Sequence, residues 1–156
     1  MLFQGEKNSL KLDVFNYELP ADGGDPTSDD RNWLILRATY VDEDGDITKD
    51  SNSCLLTYEL QEMTAGLKVL DAGIRDRYES SFTEPYFTLT AQAEGEGFLM
   101  EVSFYLPNTM DGDDTAEVDC MLTEAELKAV IEGIKTIIKD FHNPIDTTAL
   151  GDLKSY

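Results

Sequence analysis

Carboxylates are the side chains in this sequence that could do chemistry. The 156 residues contain 32 Asp and Glu against 12 Lys and Arg, which gives a formal net charge of −20. Paired carboxylates can act as general acid and base, but nothing in the pattern indicates a shifted pKa, and clustered acids are more often solvated turns. The single histidine, His142, follows a helical segment and is expected to cap it or to be exposed. We therefore predict that the protein is not an enzyme.

The acidic stretch over residues 42–46 comes closest to a metal-binding motif. An EF-hand loop needs glycine after its third acidic position and glutamate at its twelfth. Ile47 and Ser53 stand at those two positions. A cluster of Cys and His ligands, a glycine-rich phosphate loop and a nucleophile elbow are also missing from the sequence. It predicts no metal site, no cofactor and no catalytic residue.

The negative charge also restricts the kinds of partner. It repels nucleic acid and anionic membranes, and it favours solubility and fast capture of basic proteins. No apolar run reaches the roughly 18 residues of a membrane span, and no basic segment precedes an apolar one at the N-terminus. We expect a cytoplasmic protein. Cys54 and Cys120 lie in apolar segments, which favours buried free thiols over a disulfide.

Alternation of apolar and polar residues predicts most of the strands. A strand that begins at Ser9 changes phase near Phe15, which indicates a bulge. Residues 32–41 form the predicted central strand, because an acidic loop leads directly into Trp, Leu, Ile and Leu. Residues 87–106 contain two alternating runs around a glycine-containing turn, which predicts an antiparallel hairpin. A shorter strand is predicted around residues 116–120.

Apolar residues at helical spacing predict two amphipathic helices. Thr57 is the expected N-cap of the first helix, and Thr123 opens a capping box before the second. The first apolar stripe consists of Leu60, Met63, Leu67, Leu70 and Ile74, and the second of Leu127, Val130, Ile131, Ile134, Ile137, Ile138 and Phe141.

These elements predict an α+β fold. We expect a mainly antiparallel sheet of about six or seven strands, with the two long amphipathic helices packed on one face. Strands followed by a helix occur twice, without a convincing sequence repeat. No linker divides the chain, so we expect one domain over residues 1–141 and a tail over residues 142–156 that is weakly docked or disordered.

Four short stretches occur in an order that resembles a known family. They are Tyr17-Glu18-Leu19-Pro20, Asp29-Asp30-Arg31-Asn32-Trp33-Leu34, Leu55-Leu56-Thr57-Tyr58-Glu59-Leu60 and Glu84-Pro85. Together they resemble the WapI-type immunity proteins of bacterial polymorphic toxin systems, over about residues 3–141. The C-terminus departs from that pattern, because Phe141-His142-Asn143-Pro144 stands where members often have Phe-Pro-x-Arg.

The resemblance implies a protein that binds the C-terminal domain of a cognate toxin inside the producing cell and blocks it. Toxins of these systems are commonly nucleases, which need basic surfaces to hold phosphates. An acidic inhibitor could occupy such a surface without any catalytic residue. We expect the contacts to come from carboxylates in loops, namely Asp29, Asp30, Asp42, Glu43, Asp44, Asp46, Asp111, Asp113 and Asp114.

A secretion chaperone or adaptor is the alternative reading. Small acidic proteins of that kind hold a client protein on an exposed apolar surface, usually as dimers. An exposed hydrophobic patch would favour this alternative. The sequence leaves the oligomeric state open.

Overall fold

In the part of the chain that the structure describes, four strands followed by one helix occur twice. The structure, a computed structural model, describes residues 1–20, 22–25, 28–107 and 114–142. The first half consists of β1 (Leu2–Gln4), β2 (Ser9–Tyr17), β3 (Trp33–Val41), β4 (Ile47–Leu56) and α1 (Thr57–Asp71). The second half consists of β5 (Arg77–Glu79), β6 (Phe87–Glu94), β7 (Gly97–Leu106), β8 (Asp114–Leu122) and α2 (Glu124–Asp140). A 3₁₀ turn over Asp29–Asn32 precedes β3.

The strands form two antiparallel sheets, so the prediction of a single sheet with six or seven strands was wrong, although the α+β class is confirmed. Sheet 1 has the order β1-β2-β3-β4 and sheet 2 the order β5-β6-β7-β8. Alternation identifies a strand but says nothing about which distant edges pair. Most of β4 and the short β5 carry polar side chains, so neither gives a clear alternating pattern. Both were therefore missed as strands in the sequence.

The interior position of β3 is confirmed, since it pairs with β2 on one side and β4 on the other. Leu34 and Leu36 are fully buried, whereas Trp33 is only half-buried. The register between β2 and β3 shifts between Val14 and Asn16, which confirms the bulge predicted near Phe15. The predicted hairpin of β6 and β7 is also confirmed.

Both sheets and both helices contribute to one hydrophobic core. The rings of Phe3 in β1 and Phe87 in β6 lie 6.3 Å apart, which joins the two sheets. The helices pack against each other. Lys128 of α2 donates a hydrogen bond to Asp71 of α1 at 3.0 Å, and so links the end of one helix to the start of the other.

The start of α1 differs from the prediction, because Leu56 rather than Thr57 is the N-cap residue. The Leu56 N–H donates to the Glu59 carboxylate at 2.9 Å, so the glutamate in the first turn satisfies the N–H of the N-cap residue. The Thr57 hydroxyl instead donates to the Asn32 side-chain oxygen at 2.8 Å. The helix is therefore joined to the turn before β3.

The end of α1 removes Ile74 from the predicted apolar stripe. Gly73 has φ +73°, and its N–H donates to the Leu70 carbonyl while the Ile74 N–H donates to the Val69 carbonyl. This pair of bonds is a Schellman motif, which closes a helix. Ile74 lies beyond it and is 73% exposed, so its predicted place in the core was wrong.

The capping box predicted at Thr123 is confirmed at the start of α2. Its hydroxyl accepts from the Glu126 N–H at 3.1 Å, and the Glu126 carboxylate accepts from the Thr123 N–H at 3.0 Å. The second bond lowers the pKa of Glu126. Leu127, Ile131 and Ile134 are buried, and the other members of the predicted stripe pack around them partly exposed.

Candidate functional site

Six carboxylates line an open groove where the two sheets meet. The groove has a volume of about 970 Å³ and lies between the loop after β1, the turn after β3, and β8. Its acidic residues are Glu6, Asp42, Glu43, Asp44, Glu117 and Asp119. Lys7 is the one basic residue that lines it within the described part of the chain. We call this surface the acidic groove.

The turn between β3 and β4 positions one wall of the acidic groove. Gly45 adopts φ +85°, and the Asp42 carboxylate accepts from the N–H groups of Asp44 and Asp46, both at 2.9 Å. Asp42 therefore holds the shape of the turn, while the side chains of Glu43 and Asp44 are exposed. The carboxylate oxygens of Asp42, Asp44 and Asp46 lie within 4.8 Å of one another. Such a cluster could hold a divalent cation loosely, but exposed acids often lie this close without one.

The loop between β1 and β2 is held against β8 and forms the opposite wall. The Asn8 side-chain amide donates to the Tyr40 hydroxyl at 3.0 Å and to the Glu117 carbonyl at 2.8 Å, which bridges the two sheets. Gly5 lets the loop come this close, because an added Cβ would lie 3.1 Å from the Asp119 carbonyl oxygen. The width of the groove is thus set by contacts between the two halves of the chain.

The outer face of sheet 2 extends the negative surface. Glu101 of β7 lies directly opposite Asp119 of β8, and Glu117 lies opposite Ser103. Like charges that face each other across strands are destabilising. Among the described residues, none of these three acids forms a salt bridge with Lys or Arg. The facing carboxylates of Glu101 and Asp119 therefore weaken the pairing of β7 with β8 at this point.

Of the predicted contact residues, three line the acidic groove, namely Asp42, Glu43 and Asp44. Asp46 belongs to the same turn without lining the groove. Asp111 and Asp113 lie outside the described residues, and Asp114 begins β8 but its side chain is not described. The predicted set includes none of Glu101, Glu117 and Asp119. Alternation places these three on the polar side of their strands, but only the sheet register brings them together.

Asp29 and Asp30 lie at the other end of β3 from the acidic groove. Nine residues of strand separate them from the Asp42 turn, a distance of about 30 Å. Asp29 accepts from the Tyr58 hydroxyl at 3.0 Å, and Asp30 accepts from the Asp25 N–H at 2.9 Å. Burial, and then the hydrogen bond and charge of Asp29, raise the pKa of Tyr58 to about 12, so the hydroxyl remains a donor. These two acids organise the loop before β3.

Neither cysteine provides a reactive group. Cys54 and Cys120 are free and buried, as predicted. Burial, followed by nearby carboxylates, raises the pKa of Cys54 to about 12 and that of Cys120 to about 11. Both thiols are therefore protonated at neutral pH and are poor nucleophiles. The His142 ring nitrogen Nδ1 lies 3.3 Å from the Lys139 carbonyl, in keeping with the predicted capping role.

One protein-family model matches most of the chain. The model of the immunity protein WapI-like family matches residues 1–142. The chain belongs to this family. The resemblance inferred from the sequence motifs is thereby confirmed. No curated protein sequence matches this WapI-like chain.

Solved structures whose backbones align with this chain include three plant proteins. WHY3 from Arabidopsis thaliana is 17% identical, with a TM-score of 0.48 over 96% of this chain and 95% of that one. The plant transcriptional regulator PBF-2 is 15% identical, with a TM-score of 0.48 over 97% and 84%. WHY1 from Arabidopsis thaliana is 14% identical, with a TM-score of 0.45 over 90% and 88%. At these TM-scores none of the similarities bears on the function of the WapI-like chain.

Within the described ranges of the WapI-like chain, neither α1 nor α2 has the length and apolar character needed to cross a bilayer.

Proposed function

We propose that this protein binds and neutralises the C-terminal domain of a cognate toxin, and that the acidic groove is the surface that meets it. The observation that carries this proposal is the convergence of six carboxylates from both sheets on one groove with a single lysine. Membership of the immunity family supplies the class of function. Inhibition is stoichiometric and needs no catalytic residue.

A basic toxin, most simply a nuclease, is the partner that fits this charge. A nuclease holds phosphates on a positive surface, and a carboxylate-lined groove can occupy that surface in place of the substrate. The net charge of −20 steers the two proteins together before they touch. In a well-measured ribonuclease–inhibitor complex, close charge pairs couple by about 1.5–7 kcal/mol.

Neutralisation takes place in the cytoplasm of the producing cell. In such systems the immunity gene lies immediately downstream of the variable 3′ end of the toxin gene. The C-terminal domain encoded there is the partner to test.

Removing three carboxylates from the acidic groove tests the proposal. The variant Glu43→Gln/Glu117→Gln/Asp119→Asn removes three exposed charges without touching Asp42, which holds the turn. We expect its affinity for the toxin domain to fall by about tenfold or more, and its protection of cells that express the toxin to weaken. Binding is measured by calorimetry, and folding by circular dichroism.

The matched control is Glu62→Gln/Glu94→Gln/Glu96→Gln, which removes the same charge from exposed positions outside the groove. It should bind within about twofold of the wild type. Equal losses in both variants would mean that net charge matters and the groove does not. A further variant, Asp29→Asn/Asp30→Asn, tests the other predicted acids, which lie far from the groove.

A further inference from the structure

An apolar depression adjoins the acidic groove. It has a volume of about 360 Å³ and lies where the ends of β1 and β8 meet α2. Its apolar lining includes Leu2, Phe3, Met121, Leu122, Ala129 and Val130. Leu2 is 60% exposed and Met121 61% exposed, so two large apolar side chains stand in water at its rim. Such exposure forgoes the burial energy that these side chains would gain against a partner.

The apolar depression is continuous with the acidic groove. Gln4 and Met121 line both of them. Along β8, Glu117, Asp119 and Met121 are exposed on the same face because side chains two residues apart share a face of a strand. One strand therefore presents two carboxylates and then a thioether to the same approaching surface.

The depression has few charged groups, namely the Glu126 carboxylate and the Met1 ammonium, which donates to the Leu12 carbonyl at 2.7 Å. Glu126 is the only charged side chain among its described lining residues, and its carboxylate accepts the Thr123 N–H at 3.0 Å in the capping box of α2. A basic side chain would find this one exposed carboxylate there, beside the positive Met1 ammonium, in contrast to the six carboxylates of the acidic groove. An apolar or aromatic side chain would find Leu2, Phe3 and Met121 instead.

We propose that the toxin-binding surface continues from the acidic groove into the apolar depression. The toxin then presents one large apolar or aromatic side chain beside a cluster of lysine and arginine. This inference rests on the proposed function and names the chemistry of the partner. In interfaces of this kind the charges set the association rate, while a buried apolar anchor sets how long the complex lasts.

Two substitutions at Met121 separate the anchor from the charge. Met121→Ala should weaken toxin binding by about tenfold through faster dissociation, and leave the salt dependence of association unchanged. Met121→Asp adds a negative charge that would strengthen binding if only charge mattered. With an apolar anchor it weakens binding at least as much as alanine does. Surface plasmon resonance at two salt concentrations measures both rate constants.

Ile74→Ala and Ile74→Asp are the matched controls, because Ile74 is 73% exposed and lines neither surface. If the Met121 variants bind as these controls do, the inference is overturned, while a loss in the triple carboxylate variant still supports the acidic groove. If light scattering shows a wild-type dimer that Met121→Asp dissociates, the depression is an interface between copies of this chain, and the inference is again overturned. Failure of the wild type to bind the toxin overturns the proposed function itself.

Discussion

Glu59 is the buried charged residue at the junction between the two halves of the chain. Its side chain is 2% exposed, and its two carboxylate oxygens accept from different backbone groups. One accepts from the Leu56 N–H at 2.9 Å, and the other accepts from the Thr83 N–H at 2.7 Å. Glu59 lies in the first turn of α1, where a negative charge suits the helix dipole. The structure adds a bond to a loop 24 residues away.

Replacing Glu59 with glutamine should lower the free energy of unfolding by about 1–3 kcal/mol. An amide has one acceptor oxygen where the carboxylate has two, so one of the two backbone N–H groups would face an NH₂ group and lose its partner. Urea unfolding followed by circular dichroism measures the change. Glu62→Gln, at an exposed position of the same helix, should change stability by no more than about 0.5 kcal/mol. Equal stability of the two variants would show that the Glu59 bonds contribute nothing.

Each of the two helices contains a glycine in its interior, and the two glycines have different surroundings. An ideal Cβ on Gly66 of α1 would lie 2.2 Å from a ring carbon of Tyr78, so the absence of a side chain lets the ring pack on the helix. An ideal Cβ on Gly133 of α2 would meet no atom within 4 Å. Helix propensity alone treats both glycines as equally unfavourable. Only the packing of the two elements tells them apart.

Substituting alanine at these two positions should change stability in opposite directions. Gly66→Ala should destabilise the protein by about 1–3 kcal/mol, because the Tyr78 ring must move. Gly133→Ala should stabilise it by about 0.5–1 kcal/mol, the difference in helix propensity. Thermal unfolding of both variants beside the wild type measures the shifts. A stabilising effect of Gly66→Ala would contradict the packing of β5 on α1.

The charge of the whole molecule predicts how association with the toxin depends on salt. The Debye length falls from about 10 Å at 0.1 M salt to about 3 Å at 1 M, so steering by the net charge weakens as salt rises. We expect the association rate constant to fall by about tenfold or more over that range, with a smaller change in the dissociation rate constant. Stopped-flow fluorescence measures both rate constants. Association at the same rate in low and high salt would remove steering from the mechanism.

At the scale of the whole molecule, the two halves share one order of elements. Each half forms a four-stranded sheet from consecutive strands and ends in one helix. The acidic groove and the apolar depression both lie where the halves meet, with walls from β1 and β8. Both surfaces are therefore complete only when both halves are folded.

Several features of this protein follow from the sequence alone, because they depend on neighbours along the chain. Alternation over a few residues predicts the hairpin of β6 and β7 and the bulge in β2, and the four residues from Thr123 to Glu126 predict the start of α2. The Asp-Asp-x-Asn-Trp-Leu motif, which begins at Asp29, contributed to the correct family. The net charge, read from composition, suggested a basic partner.

The division into two sheets and the place of the candidate site were decided by the tertiary structure. Which strand edges pair depends on contacts between residues far apart in the chain, and alternation carries no information about them. The same contacts bring β8 beside the loop at Asn8, where the Asn8 side-chain amide donates to the Glu117 carbonyl at 2.8 Å. They leave Asp29 at the far end of β3 from Asp42. The acids grouped as one candidate set in the sequence are thus separated, and strand residues outside that set line the groove. Local sequence determines an element and its exposed face, whereas only long-range pairing determines which exposed faces meet.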